Sequence, residues 1–129
     1  MKHQWQVLYY ETEDEICPVK EFIDSQNNRN KAKILSLISY LEEIGPQLPR
    51  PYADLLREGI HEMRVKLTGE QVRILYFFCY RNFIILTHVF KKTTDKIPDA
   101  EIKKAKKYRD DFLTRHDEKT LKELTDEDV

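Results

Sequence analysis

His61-Glu-Met-Arg-Val-Lys-Leu67, Gln71-Val-Arg-Ile-Leu-Tyr-Phe-Phe-Cys-Tyr80 and Phe83-Ile-Ile-Leu-Thr-His-Val-Phe90 follow one another with only Thr68-Gly69-Glu70 and Arg81-Asn82 between them. In the first run Met63, Val65 and Leu67 alternate with Glu62, Arg64 and Lys66, the period of two that marks a strand with one buried and one polar face. The second run is almost continuously apolar. Three successive strands with short links predict an antiparallel meander.

Register decides which side chains share a face, because a slip of one residue moves the whole set across the sheet. A tip at Gly69-Glu70 would set Lys66 opposite Arg73, Val65 opposite Ile74 and Leu67 opposite Val72. A second tip at Arg81-Asn82 would set Phe78 opposite Ile85, Leu75 opposite His88 and Arg73 opposite Phe90. One face then gathers Met63, Val65, Leu67, Val72, Ile74, Tyr76 and Phe78. The other gathers Arg64, Lys66, Arg73, His88 and Phe90, with Lys92 following by parity, and turns apolar at Leu75, Phe77, Ile84 and Leu86. Like charges directly across a sheet are destabilising, so a Lys66/Arg73 pair suggests an anionic ligand. Arginine and lysine suit phosphate, and Phe90 among them suits a stacked base.

Upstream, Trp5 to Tyr10 reads as a first strand. Pro18 opens a short helix carrying Val19, Phe22 and Ile23. A longer helix runs from Arg29 to the Gly45-Pro46 stop, its stripe read through Ala32, Leu35, Ile38 and Leu41 and widened by Ile34, Leu37 and Ile44. The two form a helix hairpin whose apolar side needs the sheet. Pro46, Pro49 and Pro51 make a rigid connection, and Tyr52 to Leu56 reads as one helical turn. After Pro98 a last helix places Ile102, Ala105, Tyr108 and Phe112 on one side and Lys103, Lys104, Lys106, Lys107 and Arg109 on the other; this helix is the preferred cover for the apolar half of the polar face. The expected class is α+β: an N-terminal strand and helix hairpin on an antiparallel sheet, with a C-terminal helix. Residues 1–116 are expected to form one domain, and 117–129 an acidic tail read as a frayed helix or mobile segment.

The chain has 129 residues, 40% hydrophobic and 35% charged, enough for one core beneath a charged surface. No apolar run approaches the roughly 18 residues of a membrane span, and the N-terminus lacks a signal-peptide block, so a soluble cytoplasmic protein without membrane association is expected. Cys17 and Cys79 have no metal-ligand spacing, and neither zinc nor any other cofactor is expected. The net charge of −1 hides a partition. Residues 1–59 carry −3, 60–92 carry +4, 93–116 carry +2 and 117–129 carry −4. A basic second half suits an acidic or polyanionic partner.

Three runs carry a family likeness: Glu58-Gly-Ile-His-Glu-Met-Arg64, Arg73-Ile-Leu-Tyr-Phe77 and His88-Val-Phe-Lys-Lys-Thr-Thr-Asp-Lys-Ile-Pro98. Together, over about residues 5 to 110, they resemble the HigB branch of the RelE-like toxins of bacterial toxin-antitoxin modules, the phage-derived toxin-like group. The resemblance implies a ribosome-dependent, metal-independent endoribonuclease that cuts messenger RNA. It also implies neutralisation by a helix-turn-helix antitoxin, with DNA contacted only through that complex and a heterotetramer as one assembly. Carried over residue by residue, Arg64, Arg73, Lys91 and Lys92 fall on the family's phosphate-binding and catalytic positions; Lys66, His88 and Phe90, gathered on the same face by the register above, are the expected RNA-binding neighbours. Val89, where glycine is frequent, and Ile97 depart from the common motif without removing a charge. In the implied chemistry the 2'-OH attacks its own 3' phosphate, leaving a 2',3'-cyclic phosphate and a 5'-OH, with the arginines on the developing charge and Lys91 or Lys92 moving the proton. With no carboxylate cluster read on this face, a two-metal nuclease is disfavoured. A ParE-like toxin that poisons gyrase without RNase activity is the alternative, and a basic docking module the third reading.

Overall fold

A computed structural model describes residues 5–125. Strand β1 (Gln6–Tyr9) leads to helices α1 (Pro18–Asp24) and α2 (Asn28–Ile44), then β2 (Ala53–Arg57), β3 (Ile60–Leu67), β4 (Glu70–Cys79), β5 (Phe83–Lys91), α3 (Asp99–Arg115) and α4 (Glu118–Thr125). The five strands make one sheet in the order β1-β5-β4-β3-β2, antiparallel except for the β1–β5 pair at one edge. The α+β class and the helices flanking the sheet agree with the expected RelE-like architecture.

Two cores lie on the two faces. Under α1 and α2, Val19, Ile34, Ile38 and Leu41 pack on Met63, Val65, Val72, Ile74, Tyr76, Ile84 and Leu86. Under α3 and α4, Ile102, Ala105, Phe112 and Leu121 pack on Ile60, Leu75, Phe77, Phe83 and Ile85. Asn27 caps α2 by accepting the Asn30 N–H at 2.8 Å. Gly45 ends that helix at φ +53°, where an added Cβ would collide with the Trp5 indole.

Several local readings change. The centre of the α2 stripe is Ile34, Ile38 and Leu41, while Ala32 and Leu35 are exposed, because a strict spacing of three drifts round a helix of 3.6 residues per turn. The segment read as a helical turn after Pro51 is β2, which pairs with β3 from Ala53↔Met63 to Arg57↔Ile60. The prolines only lead into it. Beyond His116 the chain forms α4 and buries Leu121, so the acidic segment is anchored rather than frayed as far as Thr125; residues 126–129 lie outside the described residues.

The first hairpin has Thr68-Gly69 as its loop, Gly69 at φ +82°, and pairs Leu67↔Glu70, Val65↔Val72 and Arg64↔Arg73. This differs from the expected register by two residues, so every side chain keeps its face. In the second hairpin the loop is one residue longer, Tyr80-Arg81-Asn82, which sets Phe78 opposite Ile84 instead of Ile85. A bulge at Thr87 absorbs the extra residue, and Leu75↔His88 and Arg73↔Phe90 follow as expected. Between loop and bulge the faces exchange: Ile84 and Leu86 join the α2 side, and Ile85 joins the α3 side.

Candidate functional site

Alternation along β3 and β4 brings Glu62, Arg64 and Lys66 to the same face as Arg73 and Leu75. Arg64 and Arg73 are direct cross-strand partners. The Arg64 N–H donates outward to the Tyr52 carbonyl at 2.7 Å, so Arg64↔Arg73 is a pair without mutual backbone hydrogen bonds, the kind whose side chains approach most closely. The like-charge contact expected for Lys66 therefore falls on Arg64, and the structure supplies its own anion. Glu62, 4% exposed, accepts from Arg73 Nε at 3.0 Å and from Arg64 at 3.1 and 3.3 Å. Sequence reasoning overlooked Glu62, although its position two residues before Arg64 on the same face was the available signal.

The two arginines differ in exposure. Arg73 is buried, and burial pushes its guanidinium pKa down while the Glu62 carboxylate pulls it back. Arg64 keeps a third of its side chain exposed and also reaches Asp54 at 3.5 Å. Lys66 is exposed next to Arg64. Phe90, opposite Arg73, is half-buried and lies 5.8 Å from the His88 ring.

His88 is fully engaged. Its Nδ1 lies 3.0 Å from the Thr87 hydroxyl and its Nε2 3.0 Å from the Glu101 carboxylate, so β5 is tied to α3 through the imidazole. Burial lowers its pKa, with the hydrogen bond to Glu101 acting in the opposite sense. The same Thr87 hydroxyl donates to the Leu75 carbonyl at 3.1 Å, which fixes the bulge.

The two lysines after Phe90 separate. Lys91 pairs with Val72, which puts it on the α2 side, and its ammonium stands 3.7 Å from Glu70. Lys92 continues the ladder through its N–H to the Gln71 carbonyl at 2.9 Å and keeps the parity of Phe90. Arg64, Arg73, Lys66, His88, Phe90 and Lys92 thus share one face, and Lys91 does not.

A groove of about 890 Å³ opens where β3 passes α2, bordered by Lys33, Tyr40, Tyr52, Arg64, Lys66 and Arg73 among others. No carboxylate side chain lines it. Among the described residues no cluster of three or more His, Cys, Asp or Glu is placed to hold a metal ion, and no helix is long and apolar enough to cross a membrane. This arrangement can receive an anion at Arg64 and Lys66 with a flat ring nearby.

No curated protein matches the chain significantly. The family described as phage derived protein Gp49-like (DUF891) matches residues 21–110, more than two thirds of the sequence and nearly all of the secondary structure from α1 through most of α3. The matched span contains Glu62, Arg64, Arg73 and the whole basic groove, and the chain belongs to this Gp49-like family, a family of RelE/toxin-like proteins.

Proposed function

We propose that the protein is a HigB-type toxin, a ribosome-dependent endoribonuclease that cleaves messenger RNA without a metal ion. The observation that carries this reading is the paired Arg64 and Arg73, held by buried Glu62 at the border of a groove walled by cations and lacking carboxylates. A phosphodiester is the ligand such a surface accepts, through bidentate and point-charge contacts.

In this mechanism Arg64 meets the scissile phosphate and stabilises the charge that develops on its equatorial oxygens. Arg73 is a positioning residue: buried behind Glu62, it fixes the carboxylate that orients Arg64. The 2'-OH loses its proton, attacks the adjacent phosphorus, and the P–O5' bond breaks as the leaving oxygen takes up a proton. Lys92, on the arginine face, is the lysine suited to this proton transfer, and Lys66 adds charge beside Arg64. Lys91, on the opposite face beside Glu70, is not needed. Phe90 offers a ring to a neighbouring base. His88 holds α3 against the sheet through Glu101 and thereby seats Phe90. A helix-turn-helix antitoxin that covers the basic face belongs to the same reading.

The test is tightly controlled induction in a bacterium, with protein synthesis and transcript integrity followed over minutes. Arrest of synthesis with new transcript ends in wild type, lost in Arg64→Ala and Lys92→Ala but kept in Lys91→Ala, supports the nuclease. Arrest with intact transcripts and loss of supercoiling activity in a gyrase assay would replace it with the ParE-like alternative.

A further inference from the structure

The groove bordered by Arg64 extends past the residues assigned above, and one of its walls is aromatic. Tyr40 of α2 and Tyr52 at the entrance to β2 meet edge to face, ring centroids 5.8 Å apart at 81°, yet remain 37% and 44% exposed. Leu37 and Pro51 border the groove beside them. Lys33 and Lys66 also line it, and neither is in an ion pair among the described residues.

The backbone adds a donor. Along the outer edge of β3 the Arg64 N–H is capped by the Tyr52 carbonyl at 2.7 Å and the Thr68 N–H by Asn30 Oδ1 at 3.4 Å. Strand alternation turns the Lys66 N–H, midway between them, to the same edge. It carries no such cap among the described residues, and Lys66 lines the groove. A volume of about 890 Å³ lies within the roughly 300–1,000 Å³ range of small-ligand sites.

We propose that this groove is a nucleobase slot for single-stranded RNA. One base stacks on the Tyr40–Tyr52 pair, the flanking phosphates lie on Lys33 and Lys66, and the Lys66 N–H donates to the edge of the base. The next phosphate along the strand then falls at Arg64. Exposed aromatic rings between free cations match a base and its phosphates better than they match an acidic peptide, which needs the charge but not the rings. The inference rests on the nuclease reading for the choice of RNA and deepens it by naming the residues that select the nucleotide beside the cut.

The probe is a short fluorescent RNA oligonucleotide with 2'-O-methyl groups, which cannot undergo 2'-OH attack, so binding is read apart from cleavage. Tyr40→Leu and Tyr52→Leu each weaken binding about tenfold, because leucine keeps an apolar side chain but has no ring to stack. Tyr52→Phe binds as wild type. Lys33→Ala makes the slope of log affinity against log salt shallower by about 0.7, one phosphate contact on a single strand. Melting temperatures measured alongside identify any variant that fails to fold, and Tyr52→Phe against Tyr52→Leu remains decisive if Tyr40→Leu does. Unchanged binding in Tyr52→Leu, or equal losses in Tyr52→Phe and Tyr52→Leu, overturns the slot. Ring-dependent binding by a protein that cuts no transcript keeps the slot and removes the nuclease. Cleavage at unchanged positions by Tyr52→Leu, with unchanged binding, does the reverse.

Discussion

The two faces of the sheet are built from the same strands and follow opposite rules. On the α1/α2 side the buried residues of β3, β4 and β5, from Leu67 and Val72 through Ile74 and Tyr76 to Ile84 and Leu86, form one apolar core, and Glu70 and Lys91 lie only at the strand ends. On the α3 side only one end is apolar: Ile60, Leu75, Phe77, Phe83 and Ile85 lie under Ile102, Ala105 and Phe112. The other end carries Glu62, Arg64, Lys66 and Arg73. The bulge at Thr87 marks the boundary on β5, and His88 ties it to α3 through Glu101. A helix covers only as much sheet as it spans, and the uncovered part of a face is where charge is retained.

Breaking the charged end from within has the largest effect. Glu62→Ala strands a buried guanidinium, and urea denaturation is expected to show a loss of about 3–5 kcal/mol, whereas the double change Glu62→Leu with Arg73→Met recovers most of it. A loss below about 1 kcal/mol in the single variant would mean that water reaches Arg73. On the opposite face Ile74→Ala, fully buried, should cost about 2–5 kcal/mol. Arg64→Ala, a third exposed, should cost about 1 kcal/mol or less, so these neighbours separate a residue kept for packing from one kept for a ligand.

Acid is a gentler probe. His61 and His88 have pKa values lowered chiefly by burial, so the unfolded chain takes up protons that the folded chain does not. Stability is therefore full above about pH 6.5, the ordinary histidine value, and declines as pH falls below it through the folded-state values. A thermal melt series should show this slope, and His88→Gln should flatten part of it. An unchanged slope in that variant would remove His88 from the acid response. The smallest effect belongs to Lys20→Ala: Lys20 pairs with Asp24 on an exposed face of α1, and its loss should leave the melting temperature within error.

Much of this was legible beforehand. The alternation in 61–67 and the short links showed the meander and the faces, and the hairpin slip of two residues preserved both. The bulge was not legible, because Ile84, Ile85 and Leu86 are all apolar and either face accepts them. Strand β2 was hidden by the prolines, which punctuate a connection but do not say what it leads into. At the candidate site the basic residues stood out and Glu62 did not: its place on the arginine face was readable from the alternation, but its burial was not. Parity in the sequence already put Lys92 on the arginine face, and the ladder agrees by pairing Lys91 with Val72; which of the two moves the proton was not legible, because the backbone past the strand end was unknown.

The most direct measurement maps transcript ends by a method selective for 5'-OH groups, minutes after induction, in wild type and in an Arg64→Ala variant of matched melting temperature. In-frame cuts with 5'-OH ends in wild type and none in Arg64→Ala are the expected result. Ends bearing 5' phosphate, or cuts undiminished in Arg64→Ala, would contradict a metal-independent nuclease centred on the charged end of the sheet.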